Sequence, residues 1–193
     1  MQLILYSDLN PTPWKNGGGE TREIATFPPG AEFNDFDWRL SIATIAEDGA
    51  FSAFPGIDRT LILMSGNGVT LRLDNRAEHV LKAGDLLTFA GEQAVYSTLL
   101  DGTVQDLNVM LRRGRFLARI DRVLLRDKAA LDPGISGAAV VVREGQASLS
   151  DGLILGPGDT ILCNPTDSGT ITLTGEADLV LVRFRPVDQP ATG

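Results

Sequence analysis

The stretch "DWRLSIATI" (37–45) alternates strictly: Trp38, Leu40 and Ile42 fall on one face, Arg39, Ser41 and Ala43 on the other. That is the period of two of a β-strand. Short runs rich in Val, Ile, Leu and Thr recur at 60–64, 69–73, 86–90, 104–111, 138–142, 160–163, 170–175 and 177–184. Gly, Pro, Asn and Asp separate them, the punctuation of a sandwich or barrel. One stretch, "RFLARIDRVLLRDKAALD" (115–132), reads both ways. Phe116, Ile120, Val123 and Leu124 keep roughly helical spacing, whereas Phe116, Ala118 and Ile120 fit a strand.

A faint repeat underlies the pattern. "HVLKAGDLLTFAG" (79–91) resembles "LILGPGDTILCNP" (153–165), each a strand end, a Gly-Asp turn and another strand. The predicted fold is therefore all-β with little helix, in two similar jelly-roll-like units, 1–113 and 114–193. The junction falls between about Arg113 and Gly134. The second unit is short and is expected to borrow the opening strand "QLILYS".

Composition narrows the function. Seventeen basic against 25 acidic residues give a net charge of −8, which argues against sequence-independent nucleic-acid binding. The six arginines between Arg112 and Arg126 read as a solvated face. Cys163 is the single cysteine, so no intrachain disulfide exists. The N-terminus lacks a basic n-region and no apolar run is long enough to cross a bilayer, so a soluble cytoplasmic protein without membrane partners is expected.

Strand, glycine, strand, Gly-Asp, strand is also how cupin barrels read. Metal-holding cupins need two or three histidines with a carboxylate, and this chain has His79 alone. No metal and no other cofactor is expected.

The chemistry-bearing stretch is "PWKNGGGETREI" (13–24). Its lysine precedes the glycines, so it is no phosphate-binding P-loop, and its spacing and context do not fit a dinucleotide fingerprint. A flexible turn is the plain reading of three glycines. Trp14, Lys15 and Asn16 add an aromatic wall, a cation and an amide, and Gly17 and Gly18 permit close backbone approach to an anion. On 104–110, Asp106, Asn108 and Met110 share a face, as Arg39 and Ser41 do on theirs. Such a row lines a site if it faces a barrel mouth, and is merely solvated on an outer face. Arg59 leads into a strand behind Phe51, Phe54 and a Pro-Gly turn. Arg22 pairs equally well with Glu20 or Glu23, and at most one of Arg112 and Arg113 points inward.

Four segments resemble, in order, the signature segments of the HutD/Ves family: "PWKNGGGETREI", "WRLSIATI" (38–45), "GAFSAFPGIDRTLILMSGNG" (49–68) and "VQDLNVMLRRG" (104–114). The resemblance covers about the first sixty percent of the chain. It implies a metal-free double-cupin fold and an association with histidine utilisation, as a sensor or modulator rather than an established catalyst. Members of the Ves branch are linked instead to cold or environmental response. The resemblance favours the inward reading, a ligand site drawn from Trp14, Lys15, Asn16, Gly17, Gly18, Arg39, Ser41, Arg59, Asp106 and Asn108. The expected partner is a small anionic metabolite such as urocanate or a formyl- or formimino-glutamate. The alternative is a metal-free hydrolase or isomerase, with Lys15 as electrophile or base and Asp106 as acid or base. A homodimer is left open.

Overall fold

Every paired strand in the structure, a computed structural model, runs antiparallel to its neighbours. It describes residues 1–32, 35–74, 77–134, 136–167 and 169–187. In chain order the strands are β1 (Gln2–Ile4), β2 (Pro11–Pro13), β3 (Gly19–Phe27), β4 (Trp38–Ile45), β5 (Gly49–Ala50), β6 (Ile57–Ser65), β7 (Val69–Leu73) and β8 (Ala77–Leu81). They continue as β9 (Leu86–Ala90), β10 (Val95–Leu99), β11 (Val104–Arg112), β12 (Phe116–Leu131), β13 (Ala138–Ser148), β14 (Ile154–Leu155), β15 (Thr160–Cys163) and β16 (Ile171–Pro186). A 3₁₀ turn, Tyr6–Asp8, is the only helical element among the described residues.

Contacts divide the chain into Asn10–Arg113 and a unit made of Met1–Leu9 with Gly114–Gly193. In the first, a six-stranded sheet (β2-β3-β4-β11-β6-β9) and a four-stranded sheet (β5-β10-β7-β8) share one core. Ile45, Leu61, Leu63, Phe89 and Val104 from the larger sheet meet Val69, Leu71, Leu73, Leu81 and Val95 from the smaller. In the second, the sheet runs β1-β15-β13-β16-β12, with β14 on β13, over a core of Leu125, Val140, Val142, Leu173, Leu179 and Leu181. β1 pairs with β15 from Gln2–Leu162 to Ile4–Thr160. The ambiguous stretch at 115–132 is strand: β12 pairs residue for residue with β16, from Phe116–Pro186 to Leu131–Ile171. Pairing satisfies the backbone groups along that side of β16, which a helix would leave without strand partners.

The repeat recurs in three dimensions. Asp85 accepts from the Lys82 backbone N–H at 2.8 Å, and Asp159 accepts from that of Gly156 at 2.8 Å. Gly84 N–H donates to the Leu63 carbonyl and Leu63 N–H to that of Asp85; Gly158, Val142 and Asp159 make the same two bonds. Leu63 on β6 and Val142 on β13 are thus equivalent positions.

Candidate functional site

Register builds the site. On β11, Asp106, Asn108 and Met110 stand opposite Ala43, Ser41 and Arg39 of β4 on one side, and Leu63, Leu61 and Arg59 of β6 on the other. Leu61 and Leu63 belong to the core shared by the two sheets, so this face points into the sandwich. Both faces of β11 are covered: Leu107 and Val109 on the opposite face are buried too. A strand so placed is ordinarily apolar throughout, yet Asp106 is 0% exposed, Asn108 3% and Arg59 8%.

The three form a relay. Arg59 Nε donates to Asn108 Oδ1 at 2.7 Å, and Asn108 Nδ2 donates to Asp106 Oδ1. Arg59 and Asp106 do not touch, because Asn108 stands between them. The Arg59 guanidinium lies 4.6 Å from the centre of the Phe51 ring, 5.5 Å from Phe89 and 5.9 Å from Phe54. Among the described residues its two Nη groups have no hydrogen-bond partner. Asp106 Oδ2 is the one buried side-chain oxygen or nitrogen among them that lacks a partner. Burial pushes the Asp106 carboxyl up to about 7, against the opposing pull of Arg59's charge and the Asn108 hydrogen bond. Burial also brings Arg59 down to about 10; Asp106 opposes this, and the like charge of Arg39 adds to it.

Arg39 completes the row across Met110. Its Nε binds Glu23 Oε2 at 2.8 Å, and its Nη1 reaches Ser41 Oγ at 3.3 Å and Met110 Sδ at 3.7 Å. The geometry offers a planar cationic fork, partly desolvated and walled by aromatic rings, with a second guanidinium two strands away across Met110 of β11. That arrangement suits a small carboxylate.

The repeat supplies an internal control. The register that places Asp106 against Leu63 and Asn108 against Leu61 places Leu179 against Val142 and Leu181 against Val140 in the other unit. Leu179 and Leu181 are 0% and 1% exposed. Ala138 stands where Arg59 does, opposite Arg183 rather than Met110. This architecture therefore closes on an apolar face, and the polar relay is not something the fold requires.

The glycine-rich stretch is the hairpin loop between β2 and β3. Gly17 takes the positive φ of 77° the turn needs, and a Cβ on Gly19 would run into the Thr44 carbonyl oxygen and stand 3.1 Å from the Trp14 ring. Trp14 packs on the core and donates from Nε1 to Thr21 Oγ1 at 2.8 Å. Gly18 is buried, its N–H bonded to Asn16 Oδ1 and its carbonyl accepting from Ala46 and Glu47. Lys15, Asn16 and Gly17 are exposed. Gly19 lies in the row of Ile45 and Val104, six residues along β4 from the row of Arg39 and Arg59. That is about 20 Å along the strand. The structure thus gathers Arg39, Ser41, Arg59, Asp106 and Asn108, and sets the hairpin apart from the Arg59 row. Arg22 pairs with Glu20 at 3.3 Å, leaving Glu23 to Arg39. Arg113 pairs with Asp58 and Glu92 outside, while Arg112 donates to the Phe36 carbonyl. Sequence reasoning missed Phe89 and Glu23, which reach the site only through cross-strand register.

A cleft of about 440 Å³ in the second unit is lined by Arg122, Arg126, Arg143, Glu144, Glu176 and Asp178 among others. Asp178 there accepts from Arg122 at 2.6 Å and from Arg143 at 2.7 Å. Arg143 also pairs with Glu144, so four of these charged groups are engaged with one another. His79 is the sole histidine, and no group of three His, Cys, Asp or Glu converges among the described residues.

The HutD family profile matches residues 6–181. The chain belongs to the HutD family. Protein Ves of Citrobacter koseri is 42% identical over 153 residues, which span 77% of this chain and 78% of that one. The solved structure of HutD from Pseudomonas fluorescens SBW25 (formate condition) superposes on this HutD-family chain with a TM-score of 0.80 at 28% identity, covering 95% and 98% of the two chains. A Cupin 2 conserved barrel domain protein from Leptotrichia buccalis superposes with a TM-score of 0.61 at 12% identity, over 95% and 96%. That likeness is one of fold: the all-β architecture of this HutD-family chain is a cupin fold.

Proposed function

We propose that the protein binds a small carboxylate-bearing metabolite at Arg59 and through it modulates histidine utilisation, the process with which HutD-family membership associates it. One observation carries the reading: a buried guanidinium with Nε held by Asn108 and both Nη groups unpartnered among the described residues, in a ring of three phenylalanines. The fork suits a planar carboxylate, Arg39 adds attraction, and the phenyl rings suit a flat or apolar body. Urocanate and the formyl- and formimino-glutamates have this chemistry. Asp106 is wholly buried behind Asn108 and reaches no ligand directly. That favours binding over a reaction in which Asp106 exchanges a proton with substrate. The test is calorimetry with formate, urocanate and N-formyl-L-glutamate on the wild type and Arg59→Ala. Charge-assisted hydrogen bonds contribute about 1.5–3 kcal/mol each, so the variant should bind at least about tenfold more weakly. Equal affinity in both proteins overturns the reading.

A further inference from the structure

We propose that anion binding at Arg59 takes up one proton, held on Asp106, so that occupancy of the site is tied to pH. The inference rests on the carboxylate-binding reading above and adds its regulation. Among the described residues Arg59 is the only countercharge that Asp106 feels through Asn108, and Asp106 Oδ2 is wholly buried without a partner. With Asp106 ionised, the relay as a whole is neutral and draws no anion. With Asp106 protonated, it carries the full charge of Arg59 beside that of Arg39. An anion seated on the free Nη groups neutralises Arg59 and repels an ionised Asp106, while the carboxyl remains desolvated. Each of these effects favours the neutral carboxyl. Binding therefore draws a proton in, and by linkage acid strengthens binding.

The other charged and titratable groups near Asp106 are few. β4 contributes Arg39, and β3 contributes Glu23, bonded to it. The inward residues of β9, Leu87 and Phe89, are apolar, as are those of β7 and β10 except Ser97, which donates to the Gly49 carbonyl. His79 on β8 pairs with Leu71 across the smaller sheet, so it is the rival titrating group and its variant is the control.

The probe is N-formyl-L-glutamate, whose carboxylates stay ionised above about pH 6. Calorimetry in bis-tris and in Tris, cationic buffers of different ionisation enthalpy that do not compete for an anion site, reads proton uptake directly. For the wild type near pH 7.5 the observed heat should differ between buffers by up to one proton's worth. Affinity should fall by up to about tenfold per pH unit above pH 7 and level off below about pH 6. Asp106→Asn should flatten this profile and abolish the buffer dependence, and His79→Gln should preserve both. Binding by the wild type with no buffer dependence and no pH slope overturns the inference and leaves the carboxylate site standing. A slope abolished by His79→Gln also overturns it. No binding of any tested carboxylate at any pH overturns the site and the inference together.

Discussion

Asp106→Asn should stabilise the folded protein, and more so the higher the pH. The substitution keeps side-chain shape and an oxygen to accept from Asn108, replaces the unpartnered Oδ2 by an amide NH2, and removes the capacity to ionise. In the fold this carboxyl titrates at about 7, against an ordinary value of 3.8. The folded state therefore holds the proton over a window in which the unfolded chain has released it. Where the native state binds more protons, stability falls as pH rises. The loss should begin near pH 4 and be complete just above pH 7. Each tenfold in the proton equilibrium corresponds to about 1.4 kcal/mol, so the wild type should forfeit about 4 kcal/mol by pH 8 and less than about 1 kcal/mol at pH 4. For a chain of this size that corresponds to a melting-temperature gap on the order of 10 °C between variant and wild type at pH 8. Urea unfolding at several pH values reads the difference directly. A gap that is the same at pH 4 and pH 8, or a variant less stable at pH 8, would show that Asp106 does not carry a buried titration.

Lys15→Ala should change carboxylate affinity by less than about threefold, because Lys15 lies on an exposed loop about 20 Å along the strands from the Arg59 row; parallel titrations of Lys15→Ala and Arg59→Ala check this. Gly19→Ala should lower stability by about 1–3 kcal/mol, since the added methyl meets the Thr44 carbonyl oxygen and the Trp14 ring, as denaturant midpoints would show. Asp178→Asn should cost about 3–5 kcal/mol, because it removes the carboxylate that Arg122 and buried Arg143 share; thermal unfolding across a salt series measures it.

Strands and turns were legible in the chain because their signals are local. The period of two in 37–45 and 104–111, and the Gly-Asp turns at 84–85 and 158–159, need no partner to be read. The state of 115–132 was not legible, because its apolar spacing fits both periods and only pairing with β16 decides it. The site was legible in part for the same reason. Asp106, Asn108 and Met110 share a face by period alone, but that Arg59 and Phe89 stand across the row from them is a matter of register between strands dozens of residues apart. Composition could not say which face of β11 meets solvent. Neither does: Leu107 and Val109 bury one face, Asp106 and Asn108 the other.

That double burial sharpens the case that the relay exists for a ligand. A strand buried on both faces gains most from apolar side chains, and its counterpart β16 in the second unit takes that course with Leu179 and Leu181. β11 departs from it at the equivalent positions, placing an orphaned carboxyl oxygen and an amide there, with a guanidinium opposite on β6 held through Nε alone. Groups buried in this way destabilise the empty protein by several kcal/mol. A bound anion would relieve the penalty by partnering the two free Nη groups and drawing a proton onto the carboxyl. The same residues should therefore govern both stability and affinity. Asp106→Asn should raise stability above pH 7 in the absence of carboxylates, whereas Arg59→Met, which takes the countercharge from Asp106 and the Nε donor from Asn108, should lower it. The wild type should gain stability as N-formyl-L-glutamate is added near pH 7, with its gain growing as the logarithm of concentration. Arg59→Met, lacking the fork, should show no such gain. A stabilisation by the probe that is as large in Arg59→Met as in the wild type would place the anion elsewhere and remove the reason for the relay.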